Sequence, residues 1–292
     1  MDSTSADPYH GDVYIEGERF KHVGVVPEEA KSAPGLFTIQ GHGRTLMSGL
    51  GDGHTHLTWN EGDLTDLGKL EVEEHTLHTA ASAKKYLDSG YTMCFGAASA
   101  KDRLDVVIRN AINNGTIPGP RCLANAREIA RRDGEIVPGI TAYADGPLEM
   151  RQVIQSFMAI GVDQVKLSMS GEEICGNRPA NDCYFTDAET AACVDEAHRH
   201  KVRLCAHARA RDSVKMCVKH GVDVIYHASW TDQEGMDMLV QNKSKHIVVP
   251  AIGALHAALY RAAHLGLTYE VVEKMGYKRE YDQAVTVLKE MH

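Results

Sequence analysis

Two histidines one residue apart close the run Gly51-Asp52-Gly53-His54-Thr55-His56, directly after the apolar stretch Leu46-Met47-Ser48-Gly49-Leu50. Side chains two apart on a strand share a face, so His54 and His56 point the same way from the end of a rigid element and can serve one metal ion. A second pair is the control. His198-Arg199-His200 closes a helical pattern, where that spacing puts the rings about 200° apart, so this pair reads as a solvated helix end.

Three more basic residues end apolar runs: Lys166 in Val162-Asp163-Gln164-Val165-Lys166-Leu167, His207 after Val202-Arg203-Leu204-Cys205-Ala206, and His227 after Val222-Asp223-Val224-Ile225-Tyr226. A buried amine loses its charge readily, and a neutral amine can add carbon dioxide to give a carbamate with two oxygens able to bridge two metals. The other reading of Lys166 is a strand lysine paired to a carboxylate. His207 or His227 alone reads as an ordinary buried histidine. Together, four imidazoles and one lysine at the ends of four strands face one mouth.

The elements that must position them recur from residue 46 onward as an apolar or β-branched run, a polar or Gly-rich loop and a helical pattern. Strands are predicted at about Thr45 to Leu57, Tyr91 to Gly96, Arg121 to Ala126, Gln164 to Met169, Val202 to Ala208, Val222 to His227 and His246 to Ile252. Helical spacing joins Ile154, Phe157, Met158 and Gly161. Thr186 to Glu189 forms a capping box, and Ala284, Val287, Leu288 and Met291 repeat at helical intervals. This alternation predicts an α/β fold, a (β/α)8 TIM-type barrel that stops before strand 8; an open doubly wound sheet is the alternative. Residues 46–292 are assigned to that barrel. Residues 1–45 are assigned to a disordered start, Met1 to His10, and part of a small β-sandwich domain. There Val13 to Gly24 reads as a hairpin turning at Glu16-Gly17-Glu18, with one more strand at Leu36 to Gln40.

Composition narrows the partners. A formal charge of −9 over 292 residues, with no basic cluster beyond the Lys84-Lys85 and Arg131-Arg132 pairs, argues against nucleic acid. No signal sequence and no apolar run near 18 residues is present, so a soluble, cytoplasmic protein without a membrane partner is expected. Seven cysteines include no C-x-x-C pair. Cys94, Cys122 and Cys205 lie in apolar runs and read as buried free thiols, while Cys175 and Cys183 could approach within one loop.

The order Asp-Gly-His-Thr-His, then V-K-L-S-M-S-G, then C-A-H-A, then V-I-Y-H-A-S resembles the metal-dependent amidohydrolase superfamily. The resemblance is to its branch of imidazolonepropionase-like and Xaa-Pro dipeptidase-like enzymes, and runs from about residue 36 to the end. It implies two divalent ions, usually zinc, held by His54, His56, His207 and His227, with a CO2-derived carbamate on Lys166 shared between them. It also implies a bridging hydroxide that cleaves a C–N amide bond other than an ordinary peptide bond, in a small-molecule amide, and a homo-oligomer. Three departures stand out. The strand-eight aspartate has no counterpart, since Asp282 lies in a helical pattern, and so no catalytic acid or base is assigned. Tyr226 stands where relatives often have Glu, and Ala208-Arg209-Ala210-Arg211 replaces a Gly-containing segment. A non-catalytic scaffold of the same fold is therefore the alternative, with lactone or organophosphate ester hydrolysis a further one.

Substrate contacts are expected from the loop Gly171 to Tyr184 with Ser168 and Ser170, and from His256 after strand seven. Arg131, Arg132 or Asp133 could face the mouth, and Trp59 and Asn60 could wall it. His75 and His78, three apart, read as a solvated helix face.

Overall fold

Each apolar run becomes a short strand and each helical pattern packs over the sheet those strands build. The computed structural model describes residues 7, 9–59, 64–134, 137–172 and 178–292, in two units, 1–50 and 51–292. Cys175 and Asn60 lie outside the described residues.

In the first unit β1 (Asp12–Glu16) and β2 (Arg19–Gly24) pair antiparallel as the expected hairpin, followed by the short α1 (Glu28–Lys31). Gly17, at the turn, takes φ +60°, a conformation glycine adopts without steric cost. The strand expected at Leu36 to Gln40 is not formed. That segment is irregular, with Phe37 and Ile39 exposed at 84% and 80%, because no described neighbour offers it a ladder.

The second unit begins within β3 (Leu50–Thr55) and continues through α2 (Val72–Asp88), β4 (Tyr91–Gly96), α3 (Leu104–Asn113) and β5 (Arg121–Leu123). Next come β6 (Glu128–Ala130), β7 (Thr141–Tyr143), α4 (Gly146–Ile160), β8 (Gln164–Ser168), and the hairpin β9 (Ser170–Glu172) and β10 (Arg178–Cys183). The rest is α5 (Asp187–Arg199), β11 (Arg203–Ala208), α6 (Arg211–His220), β12 (Val224–His227), α7 (Gln233–Gln241), β13 (Ile247–Val249), α8 (Ile252–Arg261), α9 (Tyr269–Lys274) and α10 (Tyr277–Met291).

Strands β3-β4-β5 form one sheet and β13-β12-β11-β8-β6-β7 another, with β8, β11, β12 and β13 mutually parallel. The two join where Asp163 N and Gln164 N donate to Ala124 O at 2.9 and 3.3 Å. The seven expected strands thus lie in chain order in an α/β TIM-type fold. At the far end a Cβ on Gly53 would stand 3.3 Å from Val249 Cγ1, so β13 passes close to β3 and a larger residue there would crowd the valine side chain. Among the described residues no strand follows β13. Pro250, which has no N–H to donate to a ladder, ends it, and the chain turns into α8 earlier than the predicted strand His246 to Ile252 allows.

Alternation sorts the side chains. On β8, β11 and β12 the residues Val165, Leu167, Leu204, Ala206 and Ile225 join Ile154 and Phe157 of α4 and Val194 of α5 in the main core. Cys205, Val224 and Tyr226 point to the other face and pack with Ala97 inside the barrel. The capping box of α5 forms as expected, and Gly161 is the left-handed cap of α4 rather than part of its stripe. No helix among the described residues is long and apolar enough to cross a membrane.

Asp105, in the first turn of α3, is fully buried beside β5. Its Oδ2 accepts from Asn125 N at 3.3 Å, and burial pushes its carboxyl up to about 7. An unfolded aspartate titrates near 3.9, so between about pH 4 and 7 the folded state holds a proton that the unfolded state has lost. The stability it contributes is present below about pH 4 and is lost as pH rises through 7. Asp105→Asn is expected to stabilise the protein by roughly 2–4 kcal/mol at pH 8 and to leave it unchanged at pH 4 in urea unfolding. An equal effect at both pH values would contradict this.

Candidate metal centre

His54 and His56 are delivered by the tip of β3. Asp52 Oδ1 accepts from His54 N at 3.0 Å and fixes the backbone there. The loop beyond is pinned from α2: His75 Nε2 donates to Thr58 O at 2.6 Å, and Ala100 N donates to Thr58 Oγ1 at 2.9 Å. His75 is therefore not on a solvated face. It is 1% exposed, on the stripe it shares with Thr79 and Ala83, whereas His78 is exposed as expected. The i, i+4, i+8 spacing with Thr79 and Ala83 was the available signal.

The rings of His54 and His227 lie 4.9 Å apart, those of His207 and His227 4.6 Å, and those of His54 and His56 5.1 Å. Tyr226 stacks on His54 at 4.1 Å, and its ring lies 5.3 Å from Lys166 Nζ. All five expected donors line one cavity of about 200 Å³. Lys166 is fully buried, with its Nζ 3.8 Å from Glu128 Oε2.

His227 reaches this cavity by an irregular route. Tyr226 faces the barrel interior, so alternation would send the next side chain outward. Instead His227 takes φ +72° and Ala228 φ +52°, and Ala228 N donates to both Ala208 O at 3.1 Å and Tyr226 O at 3.0 Å. A non-glycine residue in this region stores strain that the surroundings must offset, a recurring property of functional sites.

Burial dominates the electrostatics. It drives the imidazoles of His54, His207 and His227 well below their ordinary range and His56 down to about 3, with Lys166 and Arg209 adding like-charge repulsion. Burial also lowers the Lys166 ammonium against the opposing pull of Glu128. All four rings are thus neutral at ordinary pH and offer lone pairs.

Among the described residues no three His, Cys, Asp or Glu side chains already stand in ligating geometry, so the fit to a metal rests on donor chemistry. That chemistry fits. His56 Nδ1 faces Ala98 O at 3.2 Å and His207 Nε2 faces Gly171 O at 2.9 Å; a carbonyl only accepts, so these nitrogens carry the protons and the opposite nitrogens are bare. His54 Nε2 and His56 Nε2 are 3.2 Å apart, close to the roughly 3.4 Å between two nitrogens on one tetrahedral ion with bonds of about 2.0–2.1 Å. His54 Nδ1 is buried with no hydrogen-bond partner among the described residues.

Other expected residues are not brought to the cavity. Ser168 is wholly buried and does not line the cavity, and Ser170 Oγ accepts from Arg209 N at 2.7 Å, a structural bond. His256 lies on the exposed face of α8 beside Tyr260 and Tyr281. Arg131 and Arg132 are engaged by Glu189, Asp145 and Glu149. Asp282 pairs with Lys278 in an open groove beside Trp230, away from the donors. Trp59 does wall the cavity, stacked on His56 at 3.8 Å.

Sequence reasoning passed over the group around Arg209. This buried guanidinium bonds Glu172 of β9 and Glu280 of α10; Ser229 Oγ donates to Glu280 at 2.7 Å and Tyr277 OH to Glu172 at 3.2 Å. It ties the last helix to the floor of the site.

A TIM-type sheet with neutral imidazoles and a lysine at the C-terminal ends of its strands has the layout of a barrel enzyme. The chain belongs to the amidohydrolase family, whose model matches residues 45–274. It is similar to ochratoxinase of Aspergillus niger, at 21% identity over 234 residues that cover 71% of this chain and 48% of that protein. The chain thus spans about half the length of the curated relatives it matches. Among solved structures it resembles a prolidase complexed with N-methylphosphonate-L-proline, with TM-score 0.82 at 22% identity over 96% of this chain and 70% of the other. It also resembles a Xaa-Pro dipeptidase with bound methionine, with TM-score 0.71 at 22% identity over 84% and 63%.

Arg209→Met should strand Glu172 and Glu280 in a buried setting and cost about 3–5 kcal/mol in urea unfolding at pH 7. Adding Glu172→Gln and Glu280→Gln to it should recover most of that loss, and no recovery would show that the guanidinium acts through packing alone.

Proposed function

We propose that this chain is the barrel of a metal-dependent hydrolase that cleaves a C–N amide bond in a small-molecule substrate. In this reading His54, His56, His207 and His227 would hold two divalent ions, with Lys166, as a carbamate, the fifth ligand. The observation that carries it is the gathering of five basic side chains, their charged forms disfavoured by burial, around one cavity. Bound divalent ions supply Lewis acidity to the scissile carbonyl and to water.

The chain's own residues do the positioning. Ala98 O and Gly171 O hold the protons of His56 and His207 away from the cavity, so the bare nitrogens face inward. Trp59 and the helices over the cavity restrict water. In the net reaction the oxygen of water bonds to the acyl carbon, the C–N bond breaks, and the leaving nitrogen takes a proton. The same donor set suits a lactone or a phosphate ester, whose reacting centres are also electrophilic.

One observation favours a second reading, a non-catalytic scaffold. Lys166 Nζ lies 3.8 Å from Glu128 Oε2, the pairing an unmodified lysine would adopt. Metal analysis of the purified protein separates the two: about two zinc equivalents per chain, and a carbamate signal on Lys166 in 13C NMR after labelled bicarbonate, are expected for the hydrolase. Lys166→Met should lose at least one equivalent and lower amide hydrolysis at least about 100-fold. A metal-free protein with an unmodified lysine would establish the scaffold.

A further inference from the structure

The cavity has two unlike sides. The donors, Trp59, Glu128, Glu172 and Arg209 form one. The other is a wall from a single stretch of chain, 251–277, in which Ala254, Leu255 and Ala258 of α8 and Val272 of α9 are joined by Leu267 and Met275. Leu255 and Val272 are buried, and they pack with Leu259, Tyr277 and Ala284 into a separate core, so the wall is a built surface rather than a loose flap. Tyr277 is its one polar group, and its hydroxyl is taken by Glu172.

The charged side chains of the cavity lie on the donor side, in ion pairs. Lys166 faces Glu128, and Arg209 is bonded by Glu172 and Glu280. A charged substrate group placed against α8 and α9 would lose its hydration where the stretch 251–277 lines the cavity with no charged side chain, a penalty that an apolar group avoids. The volume of about 200 Å³ is about a third larger than a dry cavity of ~150 Å³ that holds benzene.

We propose that the wall formed by α8 and α9 selects substrates carrying a compact, uncharged apolar group, about the size of a phenyl ring, beside the scissile bond. This rests on the hydrolase reading above and adds the substrate class to it. Ala254, exposed at the surface of α8 where the wall meets the cavity, and Leu255, beneath it, set the selection.

The test is a panel of amides sharing one acyl group, with aniline, benzylamine or cyclohexylamine as the amine against glycine or a diamine, and the mirrored panel with the acyl group varied. The zinc-loaded protein is expected to cleave the apolar members with kcat/KM at least about 100-fold above the charged ones. Ala254→Glu should lower kcat/KM for the apolar members about tenfold or more, and Leu255→Ala, should Ala254→Glu fold poorly, should move the optimum to larger groups. A second arm reads binding alone, through 19F NMR of 4-fluorobenzamide with wild type and Ala254→Glu. Equal cleavage of charged and apolar amides overturns the proposal, as does fluorobenzamide binding that Ala254→Glu leaves unchanged. If no amide is cleaved but fluorobenzamide binds and Ala254→Glu abolishes it, the wall stands and the hydrolase reading falls.

Discussion

Five basic side chains occupy the same buried rim of the sheet, and burial disfavours the charged form of each. The rest of the site follows from that. Four protonated imidazoles and an ammonium could not share so small a space, and the pairwise repulsion among His54, His207, His227, Lys166 and Arg209 acts in the same direction as their desolvation. Neutral imidazoles offer lone pairs. Carbonyls decide which nitrogen of His56 and of His207 is bare, so Ala98 and Gly171 matter as much as the two imidazoles they orient.

The surrounding structure holds this arrangement at some cost. His227 sits on a left-handed backbone, and a buried guanidinium bonds two carboxylates behind the site. Buried ion groups seldom stabilise a protein relative to well-packed apolar residues. Their role here is geometric: Arg209 follows His207 by two residues, and its partners lie on β9 and α10. One charge thereby registers a strand end, a hairpin and the last helix against each other.

Much of this was legible in the sequence. Apolar and β-branched runs between helical patterns marked the seven strands and their order, and the strand-end positions of His54, His56, Lys166, His207 and His227 led to one cavity. What escaped depended on tertiary contacts. Leu36 to Gln40 has strand-like composition but no described partner to pair with, so composition alone misleads there. His75 reads as polar and hence solvated, although its spacing with Thr79 and Ala83 places it on the buried stripe. Ser168 shares the face of Lys166 yet is buried and does not line the cavity, and His256 follows a strand but projects from the outer face of the helix. For His227 the position was readable and the route was not, because a positive φ at a histidine leaves no mark of the kind a glycine would.

The donors come from four separate strands, each locked into the sheet, whereas the wall opposite them is one uninterrupted run of chain after β13. The proposed metal-binding side chains and the cavity wall are therefore encoded on different stretches of sequence. Drift or exchange of the segment 251–277 would alter the lining of the cavity while leaving the four strand ends as they are.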